Sequence, residues 1–207
     1  MMKWISIAIL LFVLSIGVAQ AAPVTVDFGV LGGSLYSITT PDAYTLDGVT
    51  FHYDNFGVPT ETAQVDEYGV FGSGLGSLYL DFASPASSIN IDFSIIGVYG
   101  ALNNAMSVTF YNAGGSVGSL SGSAADFFAY YPGNDLLGGD AVGTLAYSAA
   151  TFDQAVITFS SDVPYFSIDA LSYEPATGVA PEPSALAVLA AGLLGMRITR
   201  RKRQLDC

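Results

Sequence analysis

Between Ala22 and Gly178 the chain has no lysine, no arginine and no cysteine. The six basic side chains, Lys3, Arg197, Arg200, Arg201, Lys202 and Arg203, all lie outside that stretch, and so does the single cysteine, Cys207. Of the 18 acidic residues only Glu182 and Asp206 lie outside it, which leaves the middle with a formal charge of −16. A domain made from it has no disulfide and no Lys or Arg ion pair. It must be held by a packed apolar core, with its carboxylates in water, accepting hydrogen bonds or holding cations. The span from 22 to 178, about 157 residues, suffices for one domain with a substantial core.

The same composition removes whole classes of function. Nothing in the middle stretch can neutralise phosphates, so nucleic-acid binding is excluded. With one histidine, His52, and no cysteine, a transition-metal site is not expected. Most nucleophile, Schiff-base and oxyanion-clamp arrangements also lack their residues, and only a carboxylate pair of the glycosidase type stays open. Divalent ions suit such an acidic surface, and calcium is the candidate cofactor. Plain solubility is the alternative role of the charge.

Apolar residues recur with period two. Leu78, Leu80 and Phe82 alternate with Ser77, Tyr79 and Asp81, and Ile89, Ile91, Phe93 and Ile95 with Asn90, Asp92 and Ser94. Val108 and Phe110, Ile157 and Phe159, and Phe166, Ile168 and Ala170 repeat the pattern, and Val24 to Phe28 and Val49 to Tyr53 add two more segments. Each predicts a half-buried strand. Asn112-Ala113-Gly114-Gly115 predicts a hairpin turn. Gly114-Gly115-Ser116-Val117-Gly118 fits the G-x-S-x-G pattern, but its strand-turn-strand setting is not that of a nucleophile elbow. Eight to eleven short strands without a convincing helix predict an all-β antiparallel sandwich, jelly-roll-like in type. The Leu78–Phe82 and Ser88–Ser94 strands, the Thr109–Gly115 hairpin and the closing Phe166–Tyr173 strand resemble carbohydrate-binding-module-like β-sandwiches. That resemblance implies fold rather than ligand.

Three groups of residues are candidates for binding. Asp135 and Asp140, in Gly133-Asn134-Asp135-Leu136-Leu137-Gly138-Gly139-Asp140, fit a simple calcium loop, with a plain turn-rich loop as the alternative. Asp27 with Asp169 is a second calcium option, since first and last strands often neighbour one another in jelly rolls. Tyr130 and Tyr131, in Phe127-Phe128-Ala129-Tyr130-Tyr131-Pro132, are candidate sugar contacts if exposed and core filler if buried.

Both ends read as addresses. Lys3, the apolar run from Ile5 to Val18 and Ala19-Gln20-Ala21 predict a secretory signal peptide over 1–21, cut after Ala21, or after Ala22 as the alternative. This implies the Sec translocon and signal peptidase as partners. At the other end Pro181-Glu182-Pro183 precedes an apolar segment over 184–196, then the basic cluster Arg197, Arg200, Arg201, Lys202 and Arg203. The twelve-residue run from Ala185 to Met196 spans about 18 Å as a helix, against a bilayer core of roughly 30 Å. It predicts a marginal transmembrane helix with the basic cluster inside. Ala180-Pro181-Glu182-Pro183-Ser184, the Ala/Leu/Gly-rich run and the Arg/Lys tail resemble the PEP-CTERM sorting domain. The resemblance covers about Ala180 to Arg203, and Gln204-Leu205-Asp206-Cys207 departs from it by extending past the basic end. It implies recognition by exosortase, an integral-membrane cysteine protease and transpeptidase, with cleavage near the tripeptide.

The expectation is a signal peptide (1–21), a β-sandwich ectodomain (22–178) and a sorting segment (179–203). The protein is exported, passes transiently through the inner membrane, and ends at the cell surface or in an extracellular matrix associated with exopolysaccharide. It is expected to be non-catalytic. A carbohydrate-binding module is the alternative, and a glycoside hydrolase or lyase using a carboxylate pair is the second.

Overall fold

The alternating segments form strands, and one of them builds both layers of the protein. The structure, a computed structural model, describes residues 21–130 and 138–176. Residues 1–20 of the leader, the sorting segment, Tyr131 and Asp135 lie outside the described residues. The described strands form one compact unit, Ala22–Ala176. In chain order they are β1 (Val24–Thr25), β2 (Tyr36–Ser37), β3 (Tyr44–Leu46), β4 (Val49–Asp54), β5 (Ala63–Asp66), β6 (Gly69–Ser73) and β7 (Ser77–Val98). They continue with β8 (Leu102–Asn112), β9 (Gly115–Ala124), β10 (Asp126–Ala129), β11 (Gly139–Tyr147), β12 (Phe152–Phe159) and β13 (Tyr165–Pro175). All the strand pairings are antiparallel. Among the described residues no helix is long and apolar enough to cross a membrane.

The 22-residue β7 corrects the expectation of two separate strands over 78–82 and 89–95. Its first part, Ser77–Phe82, lies between β4 and β12. Its second part, Ile89–Val98, lies between β13 and β11. The strand changes layers around exposed Pro85, which has no N–H to give to a ladder and so fits the corner between the two sets of partners. One layer runs β3-β4-β7-β12-β8-β9 and the other β2-β5-β6-β13-β7-β11-β10, with β1 beside β13. This is the antiparallel β-sandwich that the alternation predicts.

The inner faces supply the core. Leu78, Leu80 and Phe82 from the first layer meet Ile89, Ile91, Phe93 and Ile95 from the second, all buried. Rings bridge the layers: Phe110 stacks on Tyr147 with centroids 3.9 Å apart, and Phe82 meets Tyr173 edge-on at 5.1 Å. The inward tyrosines are satisfied. The Tyr53, Tyr147 and Tyr173 hydroxyls donate to the carbonyls of Ser73, Val117 and Asp47. Among the described residues no buried side-chain polar atom lacks a partner. A core of this kind takes the place of the disulfides and the Lys or Arg ion pairs that the stretch from 22 to 178 cannot form.

Two local patterns differ from expectation. The first strand stops at Thr25, and Phe28–Leu31 forms a 3-10 turn that Asp27 caps by accepting from the Gly29 N–H at 3.1 Å. In β13, Ile168 pairs with Phe93 and Ala170 with the next residue, Asp92, so Asp169 is a bulge. The bulge shifts the alternation by one, exposing Ala170 and burying Leu171. The predicted hairpin is present. Ala113 and Gly114 both have positive φ, 49° and 80°, as a two-residue turn between twisted strands requires. Ser116 sits in β9 opposite Tyr111.

Candidate functional site

One end of the sandwich is concave. The β6–β7 turn, the β7–β8 turn and the β12–β13 turn meet there around a cleft of about 800 Å³, within the size range of ligand sites. Its walls include Glu61, Ser73, Leu75, Tyr99, Asp162 and Tyr165. Buried Val163 anchors the β12–β13 turn in the core, and the Gly74 N–H donates to the Pro164 carbonyl at 3.0 Å. Gly74 is needed for this approach, because a Cβ there would lie 2.1 Å from the Val163 carbonyl oxygen. The walls are therefore set by backbone packing rather than by loose loop ends.

Aromatic rings face solvent around this cleft. Tyr99 is 73% exposed and Tyr165 60%. Strand register extends the patch sideways: Tyr165 lies opposite Ile96, Ile96 opposite Asp140, and Asp140 opposite Phe128, which is 62% exposed. Tyr130, half-exposed at the end of β10, donates its hydroxyl to Asp140 Oδ1 at 2.8 Å. That bond, with lesser help from desolvation and the charge of Asp140, raises the Tyr130 phenol above its ordinary range. Ring atoms of Tyr99 and Tyr130 lie 3.9 and 4.0 Å from the Cβ position of Gly138, so the two rings flank one backbone point.

Of the two carboxylates in the cleft wall, Glu61 has neutral partners. Glu61 accepts from Ser73 Oγ through one oxygen and from Thr60 Oγ1 at 3.3 Å through the other. Asp162 is exposed in the β12–β13 turn. Exposed rings can stack on the C–H faces of sugars, while carboxylates and backbone carbonyls accept from sugar hydroxyls. The cleft therefore combines the two elements that carbohydrate recognition uses.

The sequence-derived candidates divide. Tyr130 and Asp140 are brought into direct contact, outside the cleft lining but with the Tyr130 ring beside that of Tyr99 at Gly138. Asp27 and Asp169 stand on neighbouring stretches, since β1 pairs with β13, but each is committed elsewhere. Asp27 caps its 3-10 turn, and Asp169 accepts from Ser94 and from Ser167 Oγ. Among the described residues there is no group of three or more His, Cys, Asp or Glu placed to hold a metal ion.

The cleft residues Glu61, Tyr99, Asp162 and Tyr165 were missed by sequence reasoning, because they come from distant turns. A second feature was also missed. On the outer face of the other layer His52 lies opposite Tyr79, and their rings stack at 4.4 Å with 9° between planes. Asp81 joins them: its Oδ2 is 3.2 Å from His52 Nδ1, and its Oδ1 accepts from Gln154 Nε2 at 2.7 Å. Tyr79 is raised above the ordinary phenol range by burial first, then by the charges of Asp54 and Tyr111.

No protein-family model matches this chain, and no curated protein matches it. Solved structures do. It is similar to a family 29 carbohydrate-binding module at 11% identity and a TM-score of 0.38, over 69% of this chain and 88% of that one. A point mutant of a family 29 module complexed with cellulohexaose is similar at 11% identity and a TM-score of 0.43, over 76% of this chain and 93% of that one. The CBM22-1–GH10 modules of a Clostridium thermocellum xylanase complexed with xylohexaose are similar at 12% identity and a TM-score of 0.37, over 76% of this chain and 29% of that one.

Proposed function

We propose that this is an exported, non-catalytic polysaccharide-binding β-sandwich that exosortase processes at the Pro181-Glu182-Pro183 segment. It then works at the cell surface or in an exopolysaccharide matrix. The observation that carries the binding role is the cleft lined by exposed Tyr99 and Tyr165 together with Glu61 and Asp162. The tyrosines supply stacking faces, and the carboxylates supply acceptors for hydroxyls. Sorting is supported by the order of tripeptide, apolar run and basic cluster, and export by the leader ending at Ala21.

Affinity electrophoresis in polysaccharide-containing gels tests the binding role. Retardation by at least one polysaccharide is expected, and Tyr165→Ala or Tyr99→Ala should lose most of it. Absence of retardation on every polysaccharide tried overturns the role, and turnover of any of them overturns its non-catalytic part. For sorting, the intact mass of the extracellular form should show loss of residues to about Ala21 and of the segment beyond Pro181. A secreted form that keeps Arg203 overturns it.

A further inference from the structure

We infer that the cleft selects a cationic glycan, a polymer carrying free amino sugars, over neutral and anionic ones. The inference rests on the polysaccharide-binding reading and names the class of ligand for that same cleft. Its first support is the absence of internal counter-charge. The stretch from 22 to 178 holds 16 carboxylates and no lysine or arginine. Its only histidine, His52, stands on the outer face of the other layer, paired with Asp81. No cationic side chain among the described residues lines the cleft.

The second support is the chemistry of the partners. Glu61 accepts from two hydroxyls, those of Ser73 and Thr60, and Asp140 at the adjoining rim accepts from a phenol. Hydroxyl donors orient a carboxylate without cancelling its charge. An ammonium group on a bound sugar makes a charge-assisted hydrogen bond to such a carboxylate, stronger than one from a sugar hydroxyl. The exposed faces of Tyr99 and Tyr165 add attraction for the same cation. A uronate or sulfated polymer meets the opposite field and is repelled.

Titration calorimetry on the exported protein tests this with three oligosaccharides: a glucosamine hexamer, its N-acetylated counterpart and an oligogalacturonate. At low salt the glucosamine hexamer should bind about tenfold more tightly than the acetylated one, and high salt should shrink that ratio. The oligogalacturonate should not bind. Glu61→Gln and Asp162→Asn should each reduce the ratio. Asp153→Asn, at the opposite end of β12, should leave it unchanged. Tyr165→Ala should weaken the binding of both hexamers. Equal affinity for the two hexamers overturns the selectivity while leaving polysaccharide binding intact. A ratio unaffected by Glu61→Gln and Asp162→Asn also overturns it, as does glucosamine binding that survives Tyr165→Ala. Failure of the glucosamine hexamer to bind, with retardation in gels of another polysaccharide retained, overturns the inference alone, whereas absence of retardation on every polysaccharide removes the polysaccharide reading itself.

Discussion

The Tyr130 hydroxyl reaches Asp140 Oδ1 at 2.8 Å, tying the end of β10 to the outer face of β11 beside the cleft. Both groups are solvent-accessible, so the bond orients more than it stabilises. Tyr130→Phe should lower stability by less than about 1 kcal/mol. It should remove one late-ionising phenol from an alkaline absorbance titration, because Asp140 holds that phenol neutral beyond the ordinary range. Loss of a phenol that ionises at the ordinary value would contradict the contact.

The charge pattern gives a second prediction. With no Lys or Arg between 22 and 178, carboxylate repulsion is relieved only by solvent ions. Raising NaCl from about 10 to about 150 mM shortens the screening length from roughly 30 to roughly 8 Å. The Tm should therefore rise over that interval, by a few degrees if the repulsion is worth about 1 kcal/mol. A falling Tm in thermal scans would show that attractive charge pairs dominate instead.

The alternation of Leu78 to Phe82 and of Ile89 to Ile95 was readable because each apolar residue faces one core. The hairpin at 112–115 was readable because Gly114 needs positive φ. That both alternating runs belong to β7 was not readable. Proline signals a strand's end unless the layers on either side of it are known, and here Pro85 marks the corner. The Asp169 bulge was hidden for a related reason: an extra residue shows only against its partner's register. Tyr130 and Asp140 lie within one aromatic–acidic stretch, so local sequence pointed to them. Glu61, Tyr99, Asp162 and Tyr165 are joined only by the way three turns close one end of the sandwich. The stacking of His52 on Tyr79 beside Asp81 was not readable, because both partners come from another strand.

Close backbone packing at the cleft gives a third prediction. A methyl group on Gly74 would meet the Val163 carbonyl oxygen at 2.1 Å and Val163 Cγ1 at 2.7 Å. Gly74→Ala should therefore destabilise by about 1–3 kcal/mol in urea unfolding, since the β12–β13 turn must move. Gly115→Ala is the contrast. Its nearest neighbour, the Asn112 carbonyl oxygen, is 3.6 Å away, and its effect should stay within about 0.5 kcal/mol. Equal effects would mean that the turn at Val163 does not seat against Gly74.

Alkaline pH should unfold this protein through its tyrosines. Lysine, arginine and cysteine are absent from 22 to 178, so phenols are the side chains of that stretch that titrate near pH 10. Tyr53, Tyr79 and Tyr173 are all raised above 10.0, with burial the largest cause in each. The folded state thus keeps these protons to higher pH than the unfolded state does. Their stabilising contribution is complete below pH 10 and is lost as pH rises through the folded values. The Tm should be flat against this group below about pH 9 and then fall, with tyrosinate absorbance appearing together with unfolding. Tyr53→Phe separates the contributions. It removes the buried hydroxyl bond to the Ser73 carbonyl, costing about 1 kcal/mol at neutral pH, and it should make the alkaline fall shallower. An alkaline fall equally steep in Tyr53→Phe would show that Tyr53 takes no part in it.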